Sequence, residues 1–248
     1  MRIGVWNCRG AFARHGDVAL AELSPDVLVV PEATAAALAD RDDWLFEHQP
    51  HLNKGTGILI RRGWTVEPVD PPDGVDRSWL RSVRLAPPDP ELSPFVLLAF
   101  WALGSVHERL PSYAAQFSEV LDTWSEVIAK EPTVIAGDFN ASAQSRSPIH
   151  LRNVATAEAL GLASAYHAFH HLDHGDEREM TLRWIGKGKV EQRYHCDFVF
   201  IPTRWIEAAE GVDVGEWSAW IHSGRSDHAP VMVELDNQAL ARLSRSSR

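Results

Sequence analysis

Seven short apolar segments, each closed off by Gly, Pro, Asn or Asp, constrain most strongly what this chain can fold into. They are "RIGVW" (2–6), "DVLVV" (26–30), "TGILIRR" (56–62), "PFVLLAFWA" (94–102), "TVIAG" (133–137), "CDFVFI" (196–201) and "APVMVEL" (229–235). All are rich in β-branched or aromatic residues, as strands are. Several are apolar on both faces, which suits strands buried between layers. Helical patterning is clearest at 111–130, where Pro111 suits a helix start and Tyr113, Phe117, Val120, Leu121 and Trp124 share one stripe. A second helix is expected over 147–160, ending at Gly161. The Pro-rich stretches at 67–74 and 86–94 read as loops between strands. The expectation is one α/β domain over 1–236, with two sheets face to face and helices outside. The remainder, 237–248, reads as a basic, frayed tail.

Composition narrows the setting. At 248 residues, 45% hydrophobic and 23% charged, the chain has an ordinary globular make-up. No apolar run approaches the roughly 20 residues that span a bilayer. Met1-Arg2 leads directly into a strand with no signal-peptide pattern, and two cysteines, Cys8 and Cys196, make no disulfide framework. A reduced, cytoplasmic protein is expected. With 24 Lys+Arg against 34 Asp+Glu the net charge is −10, which disfavours indiscriminate attraction to a polyanion. A local basic groove, or carboxylates gathered around a divalent metal, is compatible with that total.

Polar groups recur where apolar strands end. "VIAGDFNA" places Asp138 and Asn140 two residues apart, and strand periodicity would send both to one face. Asn7 follows the first strand, Glu32 the second, and Asp227 and His228 precede the last. Each alone reads as a turn or cap residue; four such boundaries together point to a site.

These pieces, "WN", "PDVLVVPE", "GDFN", "HCDFVF" and "SDHAPV", resemble in order the endonuclease/exonuclease/phosphatase superfamily, across nearly the whole chain. The resemblance implies a four-layer α/β sandwich of two mixed sheets and metal-assisted phosphoester hydrolysis. Position by position, it implies Glu32 as the main metal-binding carboxylate, with Asn7 contacting metal or phosphate. Asp138 would orient or deprotonate the attacking water, and Asn140 would donate to phosphate oxygens. His228 would be the essential histidine, Asp197 its buried partner, and Asp227 a further acidic group near the metal.

The residue types suit that chemistry. Oxygen donors such as Glu32 and Asp227 prefer a hard cation, Mg²⁺ or Mn²⁺, to zinc. Donors such as Asn140, Asn7 and protonated His228 act where charge develops, each worth about 10²–10³ in rate. An Asp197–His228 pair would raise the imidazole's pKa.

The sequence departs from deoxyribonuclease-like members in the middle strand, where "LLAFWALGS" offers Trp101 in place of a second histidine. His107 and Tyr113 are the candidate substitutes, Tyr113 reading equally as a core aromatic. Trp184, in "TLRW", is expected to stack on a base or to be core, and His195 to line the site or not. In "YHAFHHLDHGD", His167, His171 and His174 have the i, i+4, i+7 spacing of one helix face, a transition-metal arrangement whose plainer reading is a solvated helix end.

Three functions follow. The first is a divalent-metal-dependent phosphodiesterase, a nuclease acting on DNA. The second is a hydrolase of a small or lipid-linked phosphoester, and the third a catalytically silent binding module with the same fold.

Overall fold

The interior strands are apolar on two faces because each lies between two packing surfaces. The computed structural model describes residues 1–39, 41–104, 110–145, 148–186 and 188–246. The first half runs β1 (Arg2–Val5), α1 (Phe12–Leu23), β2 (Val27–Pro31), α2 (Ala35–Leu38), β3 (Trp44–His51), β4 (Lys54–Arg61), β5 (Thr65–Pro68), β6 (Leu80–Ala86) and β7 (Phe95–Trp101). Then come α3 (Tyr113–Lys130), β8 (Thr133–Asp138), α4 (Pro148–Ala159), β9 (Leu162–Ser164), α5 (Ala165–His170), β10 (Leu182–Ile185) and β11 (Glu191–Tyr194). The chain finishes with β12 (Asp197–Pro202), β13 (Ala209–Val214), α6 (Trp217–Trp220), β14 (Val231–Leu235) and α7 (Asn237–Ser246).

Among the described residues two six-stranded sheets form, in the orders β13-β14-β1-β2-β4-β3 and β5-β6-β7-β8-β12-β9, with β10-β11 as a separate hairpin. Both sheets are mixed, with β1–β2 and β7–β8 parallel and their other pairs antiparallel. Three apolar clusters then define four layers. Ile3, Val27, Val29 and Ile58 of the first sheet meet Phe95, Leu97, Val134 and Val199 of the second. The alternate residues point outward: Leu28, Val30 and Leu59 beneath Phe12, Leu20 and Leu38, and Val96, Leu98 and Ile135 beneath Phe117, Val120 and Trp124. Each fully buried Val, Leu or Ile contributes about 1.5–3 kcal/mol, so this double burial carries the architecture. The four-layer α/β sandwich expected from the sequence is the fold observed.

Two expectations change. The tail that read as frayed forms α7, because Asp236 caps it through Gln238 N at 2.9 Å and Ala239 N at 3.3 Å. Leu240 and Ala241 then bury in the inter-sheet core. Tyr113 leaves the core stripe: Phe117, Val120, Leu121 and Trp124 bury, whereas Tyr113, at the first turn of α3, stays 40% exposed. No helix among the described residues is long and apolar enough to cross a membrane.

Candidate active site

The strand ends converge because β1, β2, β8 and β12 are packed in adjacent sheets with their site ends together. Gly137 allows the closest approach: a β-carbon there would lie 1.6 Å from the Phe100 carbonyl oxygen of β7. The next residue, Asp138, is 1% exposed and pairs in register with Asp197 of β12 on one side and Trp101 of β7 on the other. Phe139 locks the turn beyond, its ring 4.7 Å from Phe117 and 4.9 Å from Phe100, centroid to centroid.

Asn140 reaches the site differently from what strand periodicity implies. It lies past the end of β8 at φ 47°, in the left-handed region that asparagine tolerates. Its backbone N–H donates to Asp138 Oδ1 (2.9 Å), and its side-chain amide donates to Asp138 Oδ2 (3.1 Å) and to the Ala102 carbonyl (3.0 Å). The pair is thus a turn and a polar cluster at once.

Asn7, fully buried just after β1, is the hub. Its amide nitrogen donates to Asp138 Oδ2 at 2.9 Å and to Glu32 Oε1 at 3.2 Å, while its Oδ1 accepts from Arg9 N at 2.9 Å. Glu32 follows β2 at φ 60°, a left-handed conformation that turns its carboxylate back toward Asn7. Lys54 Nζ, at the start of β4, sits 2.7 Å from Glu32 Oε2, and Arg9 lies 3.2 Å from Asp227. Glu32 and Asp227 are thus two part-buried carboxylates, each paired with a flexible cation, and carboxylate oxygen is the donor type that Mg²⁺ and Mn²⁺ prefer.

His228 is 4% exposed, and its Nδ1 lies 2.8 Å from Asp197 Oδ2. Its Nε2 is 4.0 Å from Asp138 Oδ2, too long for a hydrogen bond, so that N–H remains available to another acceptor. The backbone is fixed by Ser226 Oγ, which accepts from His228 N (3.1 Å) and donates to the Asn7 carbonyl (2.7 Å). Thr181 Oγ1 accepts from the N–H groups of Cys196 and Asp197, at 3.0 and 3.1 Å, and so seats Asp197. Burial opposes charge on the imidazole, but Asp197 and Asp138 outweigh it and raise His228 to about 10. Burial, then the charge of Asp197, pushes Asp138 up to about 7 against the opposing pull of His228, Asn140 and Asn7. A carboxylate with that proton affinity suits a general base near neutral pH.

Beside Asn140 opens a cavity of 430 Å³ whose walls include Tyr113, Ser142, Leu182, Trp184 and Tyr194. Tyr113 and Trp184 are thus placed together at the site's flank, Trp184 being 49% exposed. Burial and the charge of Asp138 raise the Tyr113 phenol's pKa. His195 goes elsewhere: its ring packs on Tyr166 (4.6 Å), Phe198 (5.2 Å) and His167 (5.6 Å). His107 lies outside the described residues. The β3–β4 hairpin adds two residues the sequence reading missed, Lys54 and His51. His51 meets Trp101 edge-on at 6.0 Å, which brings an imidazole to the strand that lacks one. Only "HLNKG", an unremarked hairpin turn, signalled them.

The helix-face spacing of His167, His171 and His174 does not survive. α5 ends at His170, and His171 caps it at φ 54° with its side chain exposed. The chain then folds back, so that His174 stacks on His167 at 3.5 Å between centroids.

The family model described as "Endonuclease/Exonuclease/phosphatase family" matches residues 4–228. No curated protein matches the chain by sequence. Among solved structures, an AP endonuclease from Archaeoglobus fulgidus superposes with a TM-score of 0.72 at 15% identity, covering 95% of this chain and 99% of that one. The 3′ phosphatase NExo from Neisseria, bound to a product DNA hairpin, gives 0.69 at 16%, covering 95% and 99%. Truncated TDP2 from Caenorhabditis elegans gives 0.66 at 19%, covering 94% and 96%. At these identities the likeness is one of fold.

Proposed function

Given that the chain belongs to the endonuclease/exonuclease/phosphatase family, we propose that it is a divalent-metal-dependent phosphodiester hydrolase, a nuclease acting on DNA. The observation that carries this reading is a continuous polar array. Asp197 holds His228, His228 faces Asp138, and Asn7 joins Asp138 to Glu32.

Glu32, Asp227 and Asn7 would hold Mg²⁺ or Mn²⁺, which when bound supplies positive charge to the phosphoryl oxygens. The chain's own groups do the rest. Asp138 orients a water and takes its proton at a carboxylate oxygen. His228, kept cationic by Asp197, donates from Nε2 to a phosphate oxygen as charge builds there. Asn140 offers its amide to the phosphate by exchanging its bond to Asp138. Asn7 positions both carboxylates. Trp184 and Tyr113 offer aromatic faces beside the reacting centre, where a base can stack. Similarity in fold to a phosphatase bound to a DNA hairpin and to an AP endonuclease supports DNA as the substrate class.

The test is incubation with plasmid, abasic-site duplex and single-stranded DNA in Mg²⁺ or Mn²⁺. Cleavage that His228→Ala abolishes is expected; an inert wild type on all three would remove the reading. The cavity beside Asn140 favours a second reading, hydrolysis of a terminal or small phosphoester. Release of phosphate from 3′-phosphorylated ends and nucleotides, without internal cleavage, would select it.

A further inference from the structure

Behind the candidate active site lies a second polar cluster that the phosphoester chemistry does not use. His167 and Glu177 are buried, and His167 Nε2 lies 3.0 Å from Glu177 Oε1. His174 stacks on His167, and one ligating atom from each of these three residues falls within 4.8 Å of the others. Two more imidazoles flank them. His150 of α4 is 5.6 Å from His174, and His195 is 5.6 Å from His167, ring to ring.

The hydrogen-bond account of this cluster does not close. Among the described residues, His150 is 1% exposed with both ring nitrogens unbonded, and His195 is fully buried with Nε2 unbonded. His174 Nδ1 is likewise buried without a partner. His195 donates Nδ1–H to the Glu179 carbonyl at 2.7 Å, which leaves Nε2 as a bare lone pair. Each such atom is a buried polar group without a partner, which destabilises the fold unless something occupies it. Neutral imidazoles with free lone pairs around a carboxylate are the donor set of a borderline divalent ion.

We propose that the cluster is a zinc site, with His167, His174 and Glu177 as ligands and His150 or His195 completing the coordination. Its surroundings are built as such sites are. Ser164 Oγ lies 2.8 Å from His167 Nδ1, fixing that ring so that Nε2 faces Glu177. Glu177 Oε2 accepts from Gly175 N at 3.0 Å and from the Gln144 side chain. The occupant would tie α5 and the 171–180 loop either to α4, through His150, or to the segment entering β12, through His195. That segment seats Asp197 against His228 through Thr181. The role is therefore structural, distinct from the hard-cation set at Glu32 and Asp227, and does not depend on the proposed hydrolysis.

The test is elemental analysis of untagged, full-length protein, with melting temperatures before and after chelation. About one zinc per chain is expected, with a melting temperature that falls on chelation and recovers on adding zinc. His174→Gln should lose the zinc, whereas Glu32→Gln and the exposed His171→Gln should keep it. If His174→Gln fails to fold, Co²⁺ titration of the chelated wild type decides, intense tetrahedral d–d bands being the expected result. Absence of zinc with no response to added metal, zinc retained in His174→Gln, or no cobalt bands would overturn the proposal.

Discussion

His228 is held between two buried carboxylates, its Nδ1 2.8 Å from Asp197 Oδ2 and its Nε2 4.0 Å from Asp138 Oδ2. One partner is hydrogen-bonded and the other is not. The asymmetry gives the imidazole a fixed orientation and one free N–H.

Asp197→Asn should lower kcat by about 10²–10⁴, the scale of a lost acid–base contribution. Its diagnostic is the pH profile. The adjacent anion raises His228 to about 10, so the cation persists through neutral pH in the wild type. Removing the anion lowers that pKa, and the alkaline limb should move to lower pH. A kcat loss with an unmoved limb would reduce Asp197 to a packing role.

Lys54→Met should ease divalent-metal binding, because Lys54 Nζ sits 2.7 Å from the carboxylate proposed to hold the metal. A part-exposed pair is worth about 0.2–1 kcal/mol, so the half-saturating Mg²⁺ concentration should fall by up to about 5-fold. An unchanged metal dependence with a raised KM would assign Lys54 to the substrate instead.

Trp184→Ala should weaken substrate binding while the folded core stays intact, since the ring is 49% exposed on the cavity wall. Loss of one base-stacking partner costs about 1–3 kcal/mol, read as a rise in KM with kcat nearly constant. Equal KM for wild type and variant on a single-stranded substrate would count against stacking.

Phe139→Ala should destabilise the protein by about 3–5 kcal/mol, the usual cost of emptying a large buried ring site. Phe139 contacts Phe100, Phe117, Phe198 and Phe200 at once. Chemical denaturation measures it, and a loss below about 1 kcal/mol would mean the turn is held by its polar bonds alone.

In the presence of chelator, acid should unfold the protein through the histidine cluster. The folded values of His150, His174 and His195, about 4, 3 and 4, lie below the unfolded 6.5. The neutral rings thus favour the folded state above pH 6.5, and that advantage is lost as pH falls toward 4. Glu177 acts in the same direction lower down: its hydrogen bonds outweigh burial and hold it at about 2, so its contribution fades between its unfolded 4.5 and that value. A melting temperature flat from pH 7 to pH 4.5 would contradict this.

The sequence made the sandwich legible because doubly apolar strands have few places to lie. Asn7, Glu32, Asp138, Asp197 and His228 were legible because each interrupts such a strand at its end. The nearness of Asn140 to Asp138 was legible, but a left-handed turn and not strand periodicity sets it. Lys54 and His51 were hidden, for a hairpin turn carries no mark of what its sheet neighbour will be. His150 was equally hidden, because nothing local shows that α4 will lay it on His174. α7 was hidden because the basic residues of 237–248 mask the Asp236 cap and the spacing that buries Leu240.

The position of β1 in its sheet has a temporal consequence. It lies between β2 and β14, so Asn7 is bracketed by Glu32 from one neighbour and Ser226 from the segment leading into the other. A chain emerging from the ribosome therefore holds most of its polar groups long before it can align them. The Asp197–His228 bond joins residues on separate segments, so it can close only after the chain has been made past residue 228. Synthesis itself thus sets the order of assembly: an unfinished copy carries the polar groups in pieces.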